Sequence, residues 1–247
     1  MTFIGTAAWS ISKPSAERFP QEGSSLTRYA AVLDGVEINS SFYKRHKPGT
    51  WRRWAESVPD HFRFSVKVPK KISHELRLIN AAPVFDEFLK DVSPLGGKLG
   101  PLLLQLPPNL GFDRVVVAAF LDHVRSAFDG RIVIEPRHPT WAMPEAHSLL
   151  ADYRVSRVLA DPAVIPPPKA ESEDFLYIRL HGAPKIYYSK YQPHEIKTYA
   201  SMLSVVAEGS WCIFDNTASG AALVNALEMR DLIPPKKGNA PARGGCV

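Results

Sequence analysis

Eight short apolar stretches along the chain each end in a polar or charged residue, and helix-like segments separate most of them. They read FIGTAAW (3–9), GVEIN (35–39), FRFSVK (62–67), PLLLQ (101–105), RIVIEPR (131–137), SRVLAD (156–161), FLYIRLH (175–181) and WCIFD (211–215). Short apolar runs that alternate with amphipathic segments predict parallel βαβ units. Eight such units in 247 residues predict one α/β domain, a (β/α)8 TIM barrel over residues 1–233. Helical periodicity follows the strands at about 26–33, 50–57, 83–91, 113–127, 144–152, 193–207 and 219–232. Pro83, Pro144 and Pro193 sit where a first helical turn tolerates proline. Ile165-Pro166-Pro167-Pro168 is a stiff connection that leaves the sixth helix unit degenerate. Residues 234–247, PPKKGNAPARGGCV, have no periodicity and read as a disordered tail.

Strand parity adds chemistry to this outline. Side chains two apart on a strand share a face. Glu37 and Asn39 therefore lie opposite Val36 and Ile38, and Arg179 and His181 lie opposite Ile178 and Leu180. Glu135 and Arg137 oppose Ile134, Lys67 opposes Phe64 and Val66, and Asp215 opposes Phe214. A barrel strand packs one face on helices and turns the other to the axis. The recurring parity predicts a polar set inside the C-terminal mouth: Trp9, Glu37, Asn39, Lys67, Gln105, Glu135, Arg137, Asp161, Arg179, His181 and Asp215.

Composition changes this picture little. A formal charge of +5 favours anionic partners, but no basic stripe marks a nucleic-acid footprint. Cys212 in a strand pattern and Cys246 in the tail form no disulfide framework. No basic segment followed by an apolar run opens the chain, and no stretch is long enough to span a bilayer. The expectation is a soluble protein in the reducing cytoplasm with no membrane partner.

Four carboxylates and three permanent cations share the predicted mouth, and buried charge is tolerated only when paired or hydrogen-bonded. Either the set is a structural plug of ion pairs or it is a reaction site; barrels carry their chemistry at this face, which favours the second. Glu37 and Glu135 are the candidate acid/base carboxylates. Beside Arg137 such a group stays ionised and acts as a base, and against Trp141 it would be raised and act as an acid. His181, followed by Gly182, is the candidate general base or proton shuttle. His74, His138, His181, Glu135 and Asp215 are of the right types for a divalent metal, yet no H-E-x-x-H or paired-cysteine spacing assigns ligands. LGGKLG (95–100) is a turn without a phosphate-loop pattern, and no nucleotide-cofactor motif appears. Phosphate recognition is suggested instead by HGAPKIYYSKY and DNTASG, the loops after strands seven and eight. In SSFYKRHK, Phe42 and Tyr43 alternate with Lys44, Arg45 and Lys47, which suits base stacking or a solvated basic loop.

IGTAAW, VEINSSFY, FRFSVKVPKKISH, LGGKLGPLLLQLPP, IEPRHPTW, YIRLHG and FDNTASGAALVNA, in this order over about residues 3–232, resemble the domain-of-unknown-function-72 family, the YecE-like proteins. The resemblance implies a TIM barrel and no settled activity. It maps the family's characteristic positions onto Trp9, Glu37, Asn39, Phe42, Tyr43, Lys67, His74, Gln105, Glu135, Arg137, His138, Trp141, Arg179, His181, Gly182, Tyr188, Asn216 and Gly220. The segment after Trp9 and the Phe-Asp-Asn at 214–216, where many members carry Phe-Asn-Asn, depart from the pattern. Likeness of the family to endonuclease IV-like and xylose-isomerase-like barrels suggests metal-dependent or nucleic-acid-directed chemistry, by analogy of fold alone.

The leading expectation is an enzyme of hydrolase or isomerase type acting on a phosphorylated or otherwise anionic small molecule. Arg137, Arg179 and Lys67 would clamp the anion, while Glu37, Glu135 and His181 would move protons. Trp9, Asn39, Tyr43, His74, Gln105, His138, Tyr188, Asp215 and Asn216 would complete the substrate site. The alternatives are a metal-dependent nucleic-acid hydrolase or repair enzyme, and a non-catalytic anion- or metabolite-binding module.

Overall fold

The computed structural model describes residues 1–167, 175–206 and 208–233. The predicted tail, with Cys246, and Pro168 of the stiff connection lie outside the described residues. All eight predicted strands are present: β1 (Phe3–Thr6), β2 (Gly35–Ile38), β3 (Arg63–Lys67), β4 (Leu99–Gln105), β5 (Ile132–Glu135), then a sixth in two pieces, β6 (Val155–Arg157) and β7 (Leu159–Asp161), followed by β8 (Tyr177–Leu180) and β9 (Trp211–Phe214). Every pairing is parallel. The strands form two sheets, ordered β1-β9-β8-β7 and β2-β3-β4-β5-β6.

The sheets meet at two places. At Val158 the sixth strand steps from β5 to β8, so that β6 pairs with the first and β7 with the second. At the other side Ala7 bridges Glu37, and the Ala8 N–H donates to the Glu37 carbonyl at 2.9 Å. Ala8 itself turns to φ 73°, which ends the first strand short of the predicted Trp9.

The helices are α1 (Ser25–Ala30), α2 (Ser40–Tyr43), α3 (Pro48–Glu56), α4 (Ala82–Val92), α5 (Arg114–Ala127), α6 (Pro144–Asp152), α7 (Pro193–Ser204) and α8 (Ala221–Leu232). Ser24 and Asp113 cap α1 and α5 by accepting first-turn N–H groups, and proline opens α3, α4, α6 and α7. The single turn α2 has no periodicity to announce it; the chain enters it directly because Asn39 is already helical (φ −91°, ψ −17°). Between β7 and β8 the described residues contain no helix. No described helix is long and apolar enough to cross a membrane.

Strand parity sorts the buried apolar residues into two clusters. Val36, Ile38, Phe64, Val66, Leu102, Ile134, Ile178 and Phe214 join the helices in the larger one. The opposite faces contribute Leu103, Val133, Val158, Phe175, Tyr177, Trp211 and Ile213 to a smaller one. Trp211 anchors the smaller cluster, stacked on Phe3 at 4.8 Å and on Tyr177 at 5.9 Å between ring centroids. Gly35 makes this possible, since a Cβ there would lie 2.8 Å from the Trp211 ring. The smaller cluster fills the N-terminal half of that face, and the charged residues lie beyond it.

Candidate functional site

Two residues past Tyr177 on β8, the fully buried Arg179 gathers three carboxylates. Its Nε and Nη2 donate to Glu37 at 3.0 and 2.8 Å, Nη2 also to Asp215 at 2.9 Å, and Nη1 to Glu135 at 2.5 Å. These carboxylates come from β2, from the residue after β9 and from the end of β5, so three separate strands depend on one guanidinium. Burial alone would drive the carboxyls towards the neutral form. Arg179 and His181, with Arg137 beside Glu135 and Lys67 beside Asp215, together outweigh burial and hold Glu135 well below, and Asp215 below, their usual values. Tyr177 adds a hydroxyl donor to Glu37 at 2.8 Å and lies 2.7 Å from Ser65 Oγ. Arg179 was expected to hold a ligand anion. Its donors are instead taken by Glu37, Glu135 and Asp215, so it organises the site from below.

Arg137 and His181 flank the same carboxylates from the outer side. Arg137 donates through Nε and Nη2 to Glu135 Oε1 at 3.0 and 2.7 Å and stays partly exposed. His181 Nδ1 lies 3.0 Å from Asp215 Oδ2. Its Nε2 lies 3.4 Å from Glu135 Oε1, an ion-pair distance without hydrogen-bond alignment, and this buried nitrogen has no hydrogen-bond partner. Burial favours the neutral ring, but the contacts with Asp215 and Glu135 outweigh it and raise the His181 pKa. A small cavity of about 60 Å³ opens beside Glu135, Arg137 and His181, walled by Val158, Pro162, Ile165 and Ile186.

Lys67 differs from its neighbours. Only 8% exposed at the end of β3, it has no hydrogen bond or ion pair among the described residues, and its Nζ stands 4.3 Å over the Phe42 ring. Burial, reinforced by the Arg179 charge, lowers its pKa to about 8 against the opposing pull of Glu37, Glu135 and Asp215. The local pairing fits this result. Glu37, Glu135 and Asp215 are already hydrogen-bonded to Arg179, Arg137 or His181, so none of them is left to face Lys67 alone.

The remaining expected residues are placed variously. Gln105 stands in register beside Glu135, and Asn39 starts α2 with a buried Oδ1 that has no partner. His74 packs edge-on against Phe42 and bonds Ser73; burial, then Lys67 and Arg137, lowers its pKa, which puts it within reach of both cations. Trp9 packs edge-on against Trp54 at 5.1 Å between ring centroids. His138 accepts from the Thr140 N–H and caps the turn Pro139–Ala142. Asn216 donates to the Ser189 carbonyl in the loop after β8 and to Asn225 Oδ1 on α8. Asp161 accepts from the Tyr191 hydroxyl at 2.7 Å. Tyr43 and Tyr188 are exposed, the latter beneath Lys185. In the SFYKRHK loop, Arg45 is paired with Asp91 and Glu87.

Two participants escaped the sequence assignment, and a third, Tyr187, was named only as part of the HGAPKIYYSKY loop expected to recognise phosphate. Tyr177 and Ser65 share parity with Arg179 and Lys67, two residues earlier on the same strands, so the alternation that marked the charged residues extends to them. Tyr187 had no such signal within the loop. It adopts φ 69°, donates its N–H to the His181 carbonyl, and sets its ring edge-on to His181 at 5.9 Å. Among the described residues, no group of three or more His, Cys, Asp or Glu side chains is arranged to hold a metal ion. The acidic oxygens that would serve are turned onto Arg179.

Comparison with known proteins places the chain among relatives of the same architecture. Residues 3–244 match the model for "Protein of unknown function DUF72". UPF0759 protein YecE of Escherichia coli K12 is 37% identical over 142 residues, covering 56% of this chain and 49% of YecE, so the match spans about half of that relative. UPF0759 protein YunF of Bacillus subtilis is 21% identical over 94% of this chain and 95% of its own. Crystal structures of DUF72 proteins from Enterococcus faecalis (25% identity, TM-score 0.78, 94% of this chain and 95% of that one) and Thermotoga maritima (23%, 0.79, 94% and 99%) superpose over nearly the whole fold. A xylose isomerase-like TIM barrel/4-hydroxyphenylpyruvate dioxygenase fusion protein shares the fold more distantly, at 14% identity and a TM-score of 0.51 over 94% of this chain and 42% of that one. With parallel strands in this arrangement and a family model matched across almost its full length, the chain belongs to the DUF72 family of proteins of unknown function.

Proposed function

We propose that the two sheets close into a (β/α)8 barrel through the Ala7–Glu37 bridge and the step at Val158, and that its C-terminal mouth is the active site of an enzyme for small anionic substrates. One observation carries this reading. In a network whose other charges are mutually paired, the buried His181 Nε2 atom has no hydrogen-bond partner, and the Lys67 ammonium near it makes no hydrogen bond or ion pair among the described residues. Buried polar groups are nearly always satisfied, and exceptions in native proteins call for a reason such as a ligand or a reaction. His181, steadied at Nδ1 by Asp215, is placed to give and take a proton at Nε2, with Glu135 beside it to stabilise the charged ring. Arg137, partly exposed and anchored by Glu135, faces the same cavity as an anion-holding group. Arg179 positions the acids and contacts no substrate.

This arrangement suits hydrolysis or isomerisation, in which one group moves a proton while fixed cations neutralise the substrate. The test is a panel of phosphate and carboxylate monoesters and sugar phosphates, scored by thermal protection and by turnover. Protection by anions that is lost in Arg137→Gln, and turnover that is lost in His181→Gln while binding persists, are the expected results. Protection without turnover would make the mouth a binding site only, and the absence of both would remove the proposal.

A further inference from the structure

We infer that Lys67 is a carbonyl-reactive amine, whose Nζ condenses with the aldehyde or ketone carbon of a small anionic substrate to form an imine. The inference deepens the proposed function and rests on the mouth being a ligand site. A lysine that serves as an ammonium is normally met by a carboxylate, and the three carboxylates that act on this one are hydrogen-bonded to Arg179. The groups that act on Lys67 are Glu37 from β2, Glu135 from β5, Arg179 from β8 and Asp215 after β9, with His74, beyond its own strand, close enough to be affected by it. The buried position and the nearby Arg179 charge both favour the free amine, the form with a lone pair for nucleophilic attack. The Phe42 face pulls the other way, towards the ammonium, and forms the wall on which the side chain lies.

The chemistry closes with the groups present. The neutral Lys67 nitrogen attacks the carbonyl carbon, forming a C–N bond while the π electrons move to oxygen. That oxygen takes a proton, for which His181 Nε2 is the unpartnered carrier in the mouth, and the nitrogen releases one. A second protonation expels the hydroxyl as water, and the nitrogen lone pair forms the C=N bond. The proton released by nitrogen returns to His181 Nε2, which supplies the second protonation, so amine, carbonyl and one proton give a protonated imine and water, with no oxidant or reductant. Arg137, anchored through Glu135 and partly exposed, then receives the substrate's anionic group, so Lys67 and Arg137 take different parts.

Glyoxylate, an anionic aldehyde, tests this directly on the full-length protein. Wild type is incubated with glyoxylate and cyanoborohydride near neutral pH, digested, and the modified lysines are mapped by mass spectrometry. Lys67 is expected to be modified on the order of tenfold faster than the exposed Lys70 and Lys71, because far more of it is unprotonated. The rate should rise with pH and level off above about 8. Modification no faster than at the exposed lysines overturns the inference, and no variant needs to fold for that result to count. Acetaldehyde separates this failure from failure of the proposed function. Selective Lys67 modification by both aldehydes equally would keep the amine and discard the anion site. Thermal protection by glyoxylate with Lys67 unmodified would keep the anion site and discard the amine.

Discussion

The same strands build two opposite environments a few residues apart. Towards their N-terminal ends the faces turned away from the helices carry Leu103, Val133, Tyr177, Trp211 and Ile213 in a dry cluster. Two residues further along the same faces stand Gln105, Glu135, Arg179 and Asp215, the last three joined in one ionic network. The lower layer is held by area and shape, where the cost of a defect follows the volume of the void or clash. The upper layer is held by charge balance, where the cost follows what is left unpaired. Stability can therefore be concentrated below while above, among the described residues, His181 Nε2 and Lys67 are left without hydrogen-bond partners.

The largest effect that would break this contrast is Arg179→Met. Three buried carboxylates would lose their common partner, and a loss of about 3–5 kcal/mol or more is expected in urea unfolding. Trp211→Ala, which opens a void among Phe3, Tyr177 and Gly35, should cost a similar ~3–5 kcal/mol. The two separate on pH. The Arg179→Met loss should shrink as pH falls and the stranded acids take up protons, while the Trp211→Ala loss should stay constant. Parallel pH dependence in the two variants would mean that the layers are not distinct.

Next in size is Gly35→Ala. A methyl group 2.8 Å from the Trp211 ring forces the indole to move, at about 1–3 kcal/mol. Because the strain lies in the lower layer, glyoxylate modification of Lys67 measured alongside should be unchanged. A change there would show that the packed layer sets the geometry of the charged one.

His181 gives a smaller and oppositely signed pH signal. Its pKa is raised in the folded state, so the stability it contributes is complete below its unfolded value of about 6.5 and is lost as pH rises through the folded value. Glu135 and Asp215 are lowered, and their contribution is lost only in acid. Between pH 6 and 8 the stability difference between wild type and His181→Gln should therefore narrow, by up to about 1 kcal/mol. A flat difference in calorimetric scans over that range would mean that His181 is not held protonated.

Legibility in the sequence divides along the same line. The strands were readable because each is a short apolar run between turns, and the parity of Glu37, Glu135, Arg179 and Asp215 placed them on one face before any contact was known. What parity could not supply was which charges satisfy which. It left Arg179 and Lys67 as equivalent cations, although one has four charged hydrogen bonds and the other none. The roles of His138, Asn216 and Tyr187 were hidden for another reason: they sit in loops, where backbone turns rather than periodicity decide direction. The single helical turn α2 was hidden in the same way, being too short for a period to show.

The smallest expected change in stability is the most informative about the upper layer. Lys67→Met keeps the length and apolar stem of the side chain over Phe42 and removes only the ammonium. If Lys67 were one more structural ion-pair partner, losing it would strand carboxylate charge and cost several kcal/mol, as at Arg179. The carboxylates are instead hydrogen-bonded to Arg179, Arg137 and His181, and the largely buried ammonium makes no hydrogen bond or ion pair among the described residues. Lys67→Met should therefore unfold within about 0.5 kcal/mol of wild type, or be slightly more stable, while any turnover disappears. A stability gain coupled to loss of function marks a residue kept for reaction. A loss comparable to that of Arg179→Met would return Lys67 to the structural network and leave His181 alone as the reactive group of the mouth.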